Sequence, residues 1–212
     1  MNTIRKTFLF TLFIGVLTGC LGVPKNVQPV KSFELDRYLG KWYEIARLDH
    51  SFERGLEQVT ANYSLRDDGG VSVVNRGFLS KKNKWKIAEG KAYFVDDENE
   101  GYLKVSFFGP FYGTYAIFEL DQENYEYAFV SGPDTSYLWL LSRTPKLDQE
   151  IINKFLKQAK QKGFNIEELI FVNHDKYPVI QKSFCGLTYF VAKNQPLRKF
   201  MIRHIIKYHI TF

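Results

Sequence analysis

The chain of 212 residues is poor in the side chains that build disulfide frameworks, metal centres and nucleophilic catalysts. It holds two cysteines, Cys20 and Cys185, too few to staple an exported domain. Its four histidines, His50, His174, His204 and His209, show no ligand spacing with the cysteines or with one another. No Gly-x-Ser-x-Gly elbow occurs, and Val130-Ser131-Gly132-Pro133 reads as a turn. The acidic pairs Asp67-Asp68 and Asp96-Asp97 fall where hairpin tips are expected. These absences argue against an enzyme, and no catalytic residue, metal ligand or cofactor is assigned. A long apolar run is missing too: residues 8–16 are apolar but too few to span a bilayer as a permanent helix.

The body also lacks excess positive charge, although the whole chain carries a formal +6. Two basic residues, Arg5 and Lys6, precede the apolar run. Seven more (Lys176, Lys182, Lys193, Arg198, Lys199, Arg203 and Lys207) lie after residue 175. Neither end contains an acid, so residues 20–175 are slightly acidic. The basic character belongs to the two ends, and nucleic-acid binding by the body is not expected.

What is present begins with an address. Arg5-Lys6, the apolar run and small residues before Cys20 make a secretory signal over 1–19. Leu17-Thr18-Gly19-Cys20 resembles the lipoprotein-processing box, which implies cleavage before Cys20 and its acylation. Leu21 stands where, in related lipoproteins, an aspartate favours retention at the inner membrane. Residues 20–32 form a Pro-containing linker, 33–175 the domain, and 176–212 a basic extension. Within that extension, Leu197, Phe200, Met201, His204, Ile205 and Tyr208 share one helical face with basic residues on the others, a pattern suited to a membrane surface; an extension with weak or no structure is the plainer reading.

The domain reads as all-β. Short β-type runs cover 42–47, 59–65, 71–78, 84–94, 102–107, 114–120, 125–130 and 138–143, separated by turn chemistry such as Asp67-Asp68-Gly69-Gly70. Eight sequential strands without intervening helices predict an up-and-down antiparallel barrel or a sandwich. One helix follows over 145–163, with Ile151, Ile152, Phe155, Leu156 and Ala159 at helical spacing and Gly163 as its stop, then a short ninth strand over 168–173.

Alternation selects the side chains expected inside: Ala61, Ala92, Phe94, Val105 and Phe107, with Tyr115, Ile117 and Trp139 on strands lacking polar markers. Small residues among phenyl rings suit a hollow, apolar lumen; a solid-packed barrel serving as a structural or interaction module is the alternative. Parity also puts Glu44 on the face of Trp42, where a carboxylate needs a partner or a raised pKa.

Gly40-Lys41-Trp42-Tyr43 on the first strand, with Ser142-Arg143-Thr144-Pro145 closing the eighth ahead of a helix, resembles the lipocalin signature. Longer blocks, Tyr63-Ser64-Leu65-Arg66-Asp67-Asp68-Gly69-Gly70 and Lys104-Val105-Ser106-Phe107-Phe108-Gly109-Pro110-Phe111-Tyr112-Gly113 among them, are similar to the bacterial outer-membrane members of that family. The resemblance runs from about Phe33 to His174. It implies an eight-stranded calyx and reversible binding of a fatty acid or lysophospholipid. With the lipoprotein-processing box, it implies lipid anchoring through Cys20 at the periplasmic face of an outer membrane; a monomer and a homodimer both remain open, since no residue decides between them. Gly40, Trp42, Tyr43 and Arg143 become structural signature residues, with the Arg143 guanidinium stacked on the Trp42 indole and Gly40 admitting a close backbone approach. Tyr43, Tyr112, Arg47 and Arg54 are candidates for the mouth.

Overall fold

The computed structural model describes residues 21–175. The signal segment, Cys20, Cys185, His204, His209 and the amphipathic stretch of the extension lie outside the described residues.

Eight strands close into a ring: β1 (Gly40–Arg47), β2 (Leu56–Leu65), β3 (Val71–Leu79), β4 (Lys84–Phe94), β5 (Tyr102–Phe108), β6 (Phe111–Leu120), β7 (Tyr127–Ser131) and β8 (Leu138–Ser142). Each pairs antiparallel with the next, and β1 pairs with both β2 and β8, so no sheet edge is left between them. A one-turn helix α1 (Leu35–Tyr38) precedes β1. A longer helix α2 (Gln149–Lys162) follows β8, and β9 (Ile170–Phe171) pairs with β1 outside the ring.

Differences from the sequence reading are local. Helix α2 starts at Gln149 rather than near Pro145, because Thr144 is held in a turn before it. The Thr144 hydroxyl donates to the Lys146 carbonyl, and a residue preceding proline is disfavoured in helix. The helix ends at Gly163, whose φ of 90° lets its N–H reach the Ala159 and Lys160 carbonyls. The ninth strand shrinks to two residues because Ile166–Glu168 winds into a 3-10 turn first. Strand β7 begins at Tyr127 because Tyr125, with φ of 57°, sits in a turn closed on Asp121.

Alternation divides the apolar residues between two cores. The inner one, inside the barrel, gathers Trp42, Tyr63, Val71, Leu103, Ile117 and Leu141 with Phe33 and Tyr38 from the segment crossing its base. The outer one lies between α2 and the backs of β1 and β6–β8, where Phe155 and Ala159 are fully buried and the Phe155 ring meets Phe129 edge-on at 5.1 Å. The chain before α1 seals the base: the Val30 N–H donates to the Ile117 carbonyl, and the Phe33 N–H to that of Asn99.

The signature residues build this closed end. Trp42 is completely buried, and its indole N–H donates to the Tyr38 carbonyl at 2.8 Å. The Arg143 guanidinium lies 3.9 Å from the Trp42 ring centre and donates to the carbonyls of Arg37, Lys41 and Tyr125. Gly40 acts through its backbone, with φ of 89°. A Cβ there would meet Arg143 only at an ordinary 3.6 Å, so conformation rather than close approach calls for glycine. Tyr43 points out of the barrel, edge-on to His174 and beneath the Lys41 ammonium; it is not at the mouth.

Candidate functional site

The side chains leave the upper barrel hollow. A cavity of about 760 Å³ opens at the end opposite Trp42, within the size range of small-ligand sites. Its width follows from small residues on the wall, including Ala61, Val71, Val73, Gly77, Ala92 and Gly113, set among rings from Phe107, Tyr115 and Trp139. A solid-packed barrel is not what these residues make.

Ala61, Ala92, Val105, Phe107, Tyr115 and Trp139 line the cavity. Phe94 and Ile117 do not. Both face inward as alternation requires, but they sit too low. Phe94 packs on Phe33 at 6.1 Å between ring centres, and Ile117 is sealed under the segment bonded at Val30. Period-two reasoning fixes the face of a strand, not the depth along it.

Two polar constellations interrupt the apolar wall. At the floor the hydroxyls of Tyr38, Tyr115 and Tyr63 form a chain, with O···O distances of 2.8 and 3.0 Å. Burial pushes all three phenols up, so they remain hydroxyls at physiological pH. Three hydroxyl protons share two internal hydrogen bonds, so one proton can be offered to the cavity.

On the upper wall Glu44, Arg47 and Glu53 are all buried. A β-bulge between Glu44 and Ala46 shifts the parity of β1, which turns Arg47 inward behind Glu44. The guanidinium donates to Glu44 Oε1 at 2.5 Å and to the carbonyls of Glu53 and Leu56. Glu53 Oε2 accepts from the Trp139 indole N–H at 3.0 Å. Burial raises the Glu44 carboxyl well above the usual range, and Glu53 raises it further against the opposing pull of Arg47. Burial also raises Glu53, opposed chiefly by the Trp139 hydrogen bond and by Arg47. One guanidinium compensates one carboxylate, so the pair holds a proton between them above the ordinary carboxylate range. Glu44 thus has the partner its position required. Sequence periodicity missed Glu53 because it lies in the β1–β2 loop.

Over the same wall His50 stacks between Tyr137, at 4.6 Å, and Phe52, at 5.2 Å. Burial, then the nearby Arg47 charge, lower its pKa to about 4, so it is a neutral ring at physiological pH. Of the other mouth candidates, Arg54 is exposed and paired with Asp49 at 2.6 Å, and Tyr112 lies beside Tyr93 and does not line the cavity. Among the described residues no group of three or more His, Cys, Asp or Glu is arranged to hold a metal ion.

The model of the lipocalin-like domain matches residues 33–174. The chain is a lipocalin. It is 62% identical over 168 residues to the outer membrane lipoprotein Blc of Vibrio cholerae, covering 79% of this chain and 98% of that one. It is 53% identical over 160 residues to Blc of Escherichia coli K12, covering 76% and 90%. Among solved structures, insecticyanin from the tobacco hornworm Manduca sexta superposes with a TM-score of 0.58 at 22% identity, over 72% of this lipocalin and 86% of that chain. That likeness concerns the barrel alone.

Proposed function

We propose that this lipocalin binds one fatty acid or lysophospholipid in its calyx while anchored to the outer membrane through an acylated Cys20. The observation that carries the reading is the cavity itself: open at one end and lined mainly by apolar side chains, with the tyrosine hydroxyls at its floor, Glu44 and Glu53 on its wall, and Asn75, Arg76, Lys86 and Glu89 among its other polar lining. Each methylene moved from water into such a lumen gains about 0.8 kcal/mol, so an acyl chain binds without many specific contacts. The names of the Vibrio and Escherichia relatives, both outer membrane lipoproteins, support the location, and the Leu-Thr-Gly-Cys box supplies the anchor. The role is binding and carriage rather than catalysis, serving upkeep of the membrane.

Native mass spectrometry of delipidated protein re-exposed to oleate and to lysophosphatidylethanolamine tests the ligand. A complex with one lipid is expected, and absence of any bound lipid would favour an interaction module. Replacing Cys20 with serine is expected to move the protein from the membrane fraction to the soluble periplasm.

A further inference from the structure

Large apolar side chains are exposed mainly at one end of this barrel. Phe108 is 81% exposed, Phe111 65%, Ile87 62% and Phe52 56%, and all four line the cavity mouth. They come from three different connections: β1–β2, the start of β4, and the β5–β6 hairpin whose tip carries both Phe108 and Phe111. A soluble domain that leaves this much contiguous apolar surface in water needs something to cover it. Beside Ile87 stand four exposed lysines, Lys81, Lys82, Lys84 and Lys86, none in an ion pair among the described residues. Acids also lie at this end: Asp49 is paired with Arg54, while Glu57, Glu89 and Asp134 add negative charge around the lysines.

The path of the N-terminal segment supplies a second observation. It climbs the outer wall from Val30, bonded at the level of Ile117, to Gly22, whose carbonyl accepts from the Thr114 hydroxyl at 2.7 Å. The Leu21 carbonyl accepts from the Tyr102 hydroxyl. Thr114 is three residues from Phe111 along β6, about 10 Å at strand rise. Leu21 and Gly22 are therefore bonded to the wall formed by β5 and β6, the two strands whose hairpin tip carries Phe108 and Phe111.

We infer that the mouth is a membrane-docking surface: the phenyl and isoleucyl side chains enter an anionic lipid surface, the lysines meet its phosphates, and the acyl anchor holds the barrel mouth-down. Apolar rings flanked by lysines match the apolar and anionic layers of such a surface. Lipid then enters the calyx without crossing water. The orientation rests on the acyl-anchor reading, whereas the docking itself does not.

The experiment uses two single substitutions in the full chain, Phe108→Trp at the mouth and Leu65→Trp at the opposite end, where Leu65 is 56% exposed. Each is made with Cys20 intact and with Cys20→Ser, and mixed with phosphatidylethanolamine–phosphatidylglycerol vesicles carrying brominated acyl chains. Read as the difference from the parent chain, which carries Trp85 and Trp139 toward the open end, the mouth tryptophan is expected to add a blue-shifted, quenched signal in both backgrounds, and the one at residue 65 an unquenched signal in both. In the Cys20→Ser background, Phe108→Ser with Phe111→Ser is expected to weaken vesicle partitioning at least about tenfold. Equal quenching at the two ends, or none at the mouth of vesicle-bound protein, would overturn the inference. So would a loss of dimer on sedimentation without a change in vesicle binding, which would make the patch a contact between two copies. Loss of anchoring in the Cys20-intact protein, with mouth quenching retained, would count against the acyl anchor alone.

Discussion

The two ends of the barrel use the same residue types in opposite ways. At the closed end aromatic rings are buried and the charged group is partly open: Trp42 is sealed, while Arg143 lies across it and bonds three carbonyls. At the open end an ionic cluster is buried and two large rings are not: Arg47 lies inside with Glu44 and Glu53, while Phe108 and Phe111 are exposed. An end that must stay shut puts its apolar surface inside and lets its cation be solvated. An end that must admit an apolar ligand exposes its rings and ties its wall together with a buried ionic network. The closed end is stabilised by packing, which is indifferent to pH. The open end depends on titrating groups.

The largest expected effects separate the two ends by their pH dependence. Trp42→Ala is expected to cost about 4 kcal/mol of unfolding free energy, from lost burial and the cavity left behind. That cost should be equal across the pH range in denaturant titrations. Arg47→Met is expected to cost about 3–5 kcal/mol, because it leaves buried carboxylates uncompensated. Its cost should grow as pH rises and shrink in acid, where Glu44 and Glu53 carry protons. Equal pH slopes for the two variants would erase the contrast between the ends.

A smaller effect sharpens the same contrast. The folded protein holds the Glu44 carboxyl protonated at pH values where the unfolded chain has released the proton. Its stability contribution is therefore fullest below the ordinary carboxylate range, and is lost as pH rises toward the elevated folded pKa. Glu44→Gln fixes the neutral form. Melting curves at about pH 4 and about pH 8 should show no gain in acid and a higher melting temperature in base. Arg143→Lys is expected to lose about 1–2 kcal/mol, because the ammonium keeps the charge but not the planar stack. Tyr115→Phe breaks the middle of the hydroxyl chain and is expected to cost about 0.5–1.5 kcal/mol, measured by thermal denaturation of delipidated protein.

The strands and their inward faces were legible because β-periodicity and turn chemistry agree along most of the chain; Ala61, Ala92 and Val105 needed only alternation. Depth was not legible, which is why Phe94 and Ile117 were expected at the cavity and lie at its base. The ionic network was half-legible. Parity exposed the problem of Glu44, but the bulge that turns Arg47 inward and the loop that delivers Glu53 have no signature of period two. The tyrosine floor was missed except for Tyr115, because Tyr38 comes from a one-turn helix and Tyr63 from a strand read through its smaller neighbour Ala61. Long-range hydrogen bonds among three elements are properties of closure, and no window of sequence contains them.

The hollow calyx is tested most directly by titrating delipidated protein with a dibrominated stearate and following tryptophan fluorescence. Trp139 lines the cavity, Trp42 is sealed beneath its floor, and Trp85 stacks under Arg76. The expected result is saturable quenching at one equivalent of lipid, largely abolished in Trp139→Phe. Binding without quenching of Trp139, or no saturable binding, would contradict a lipid held inside the barrel.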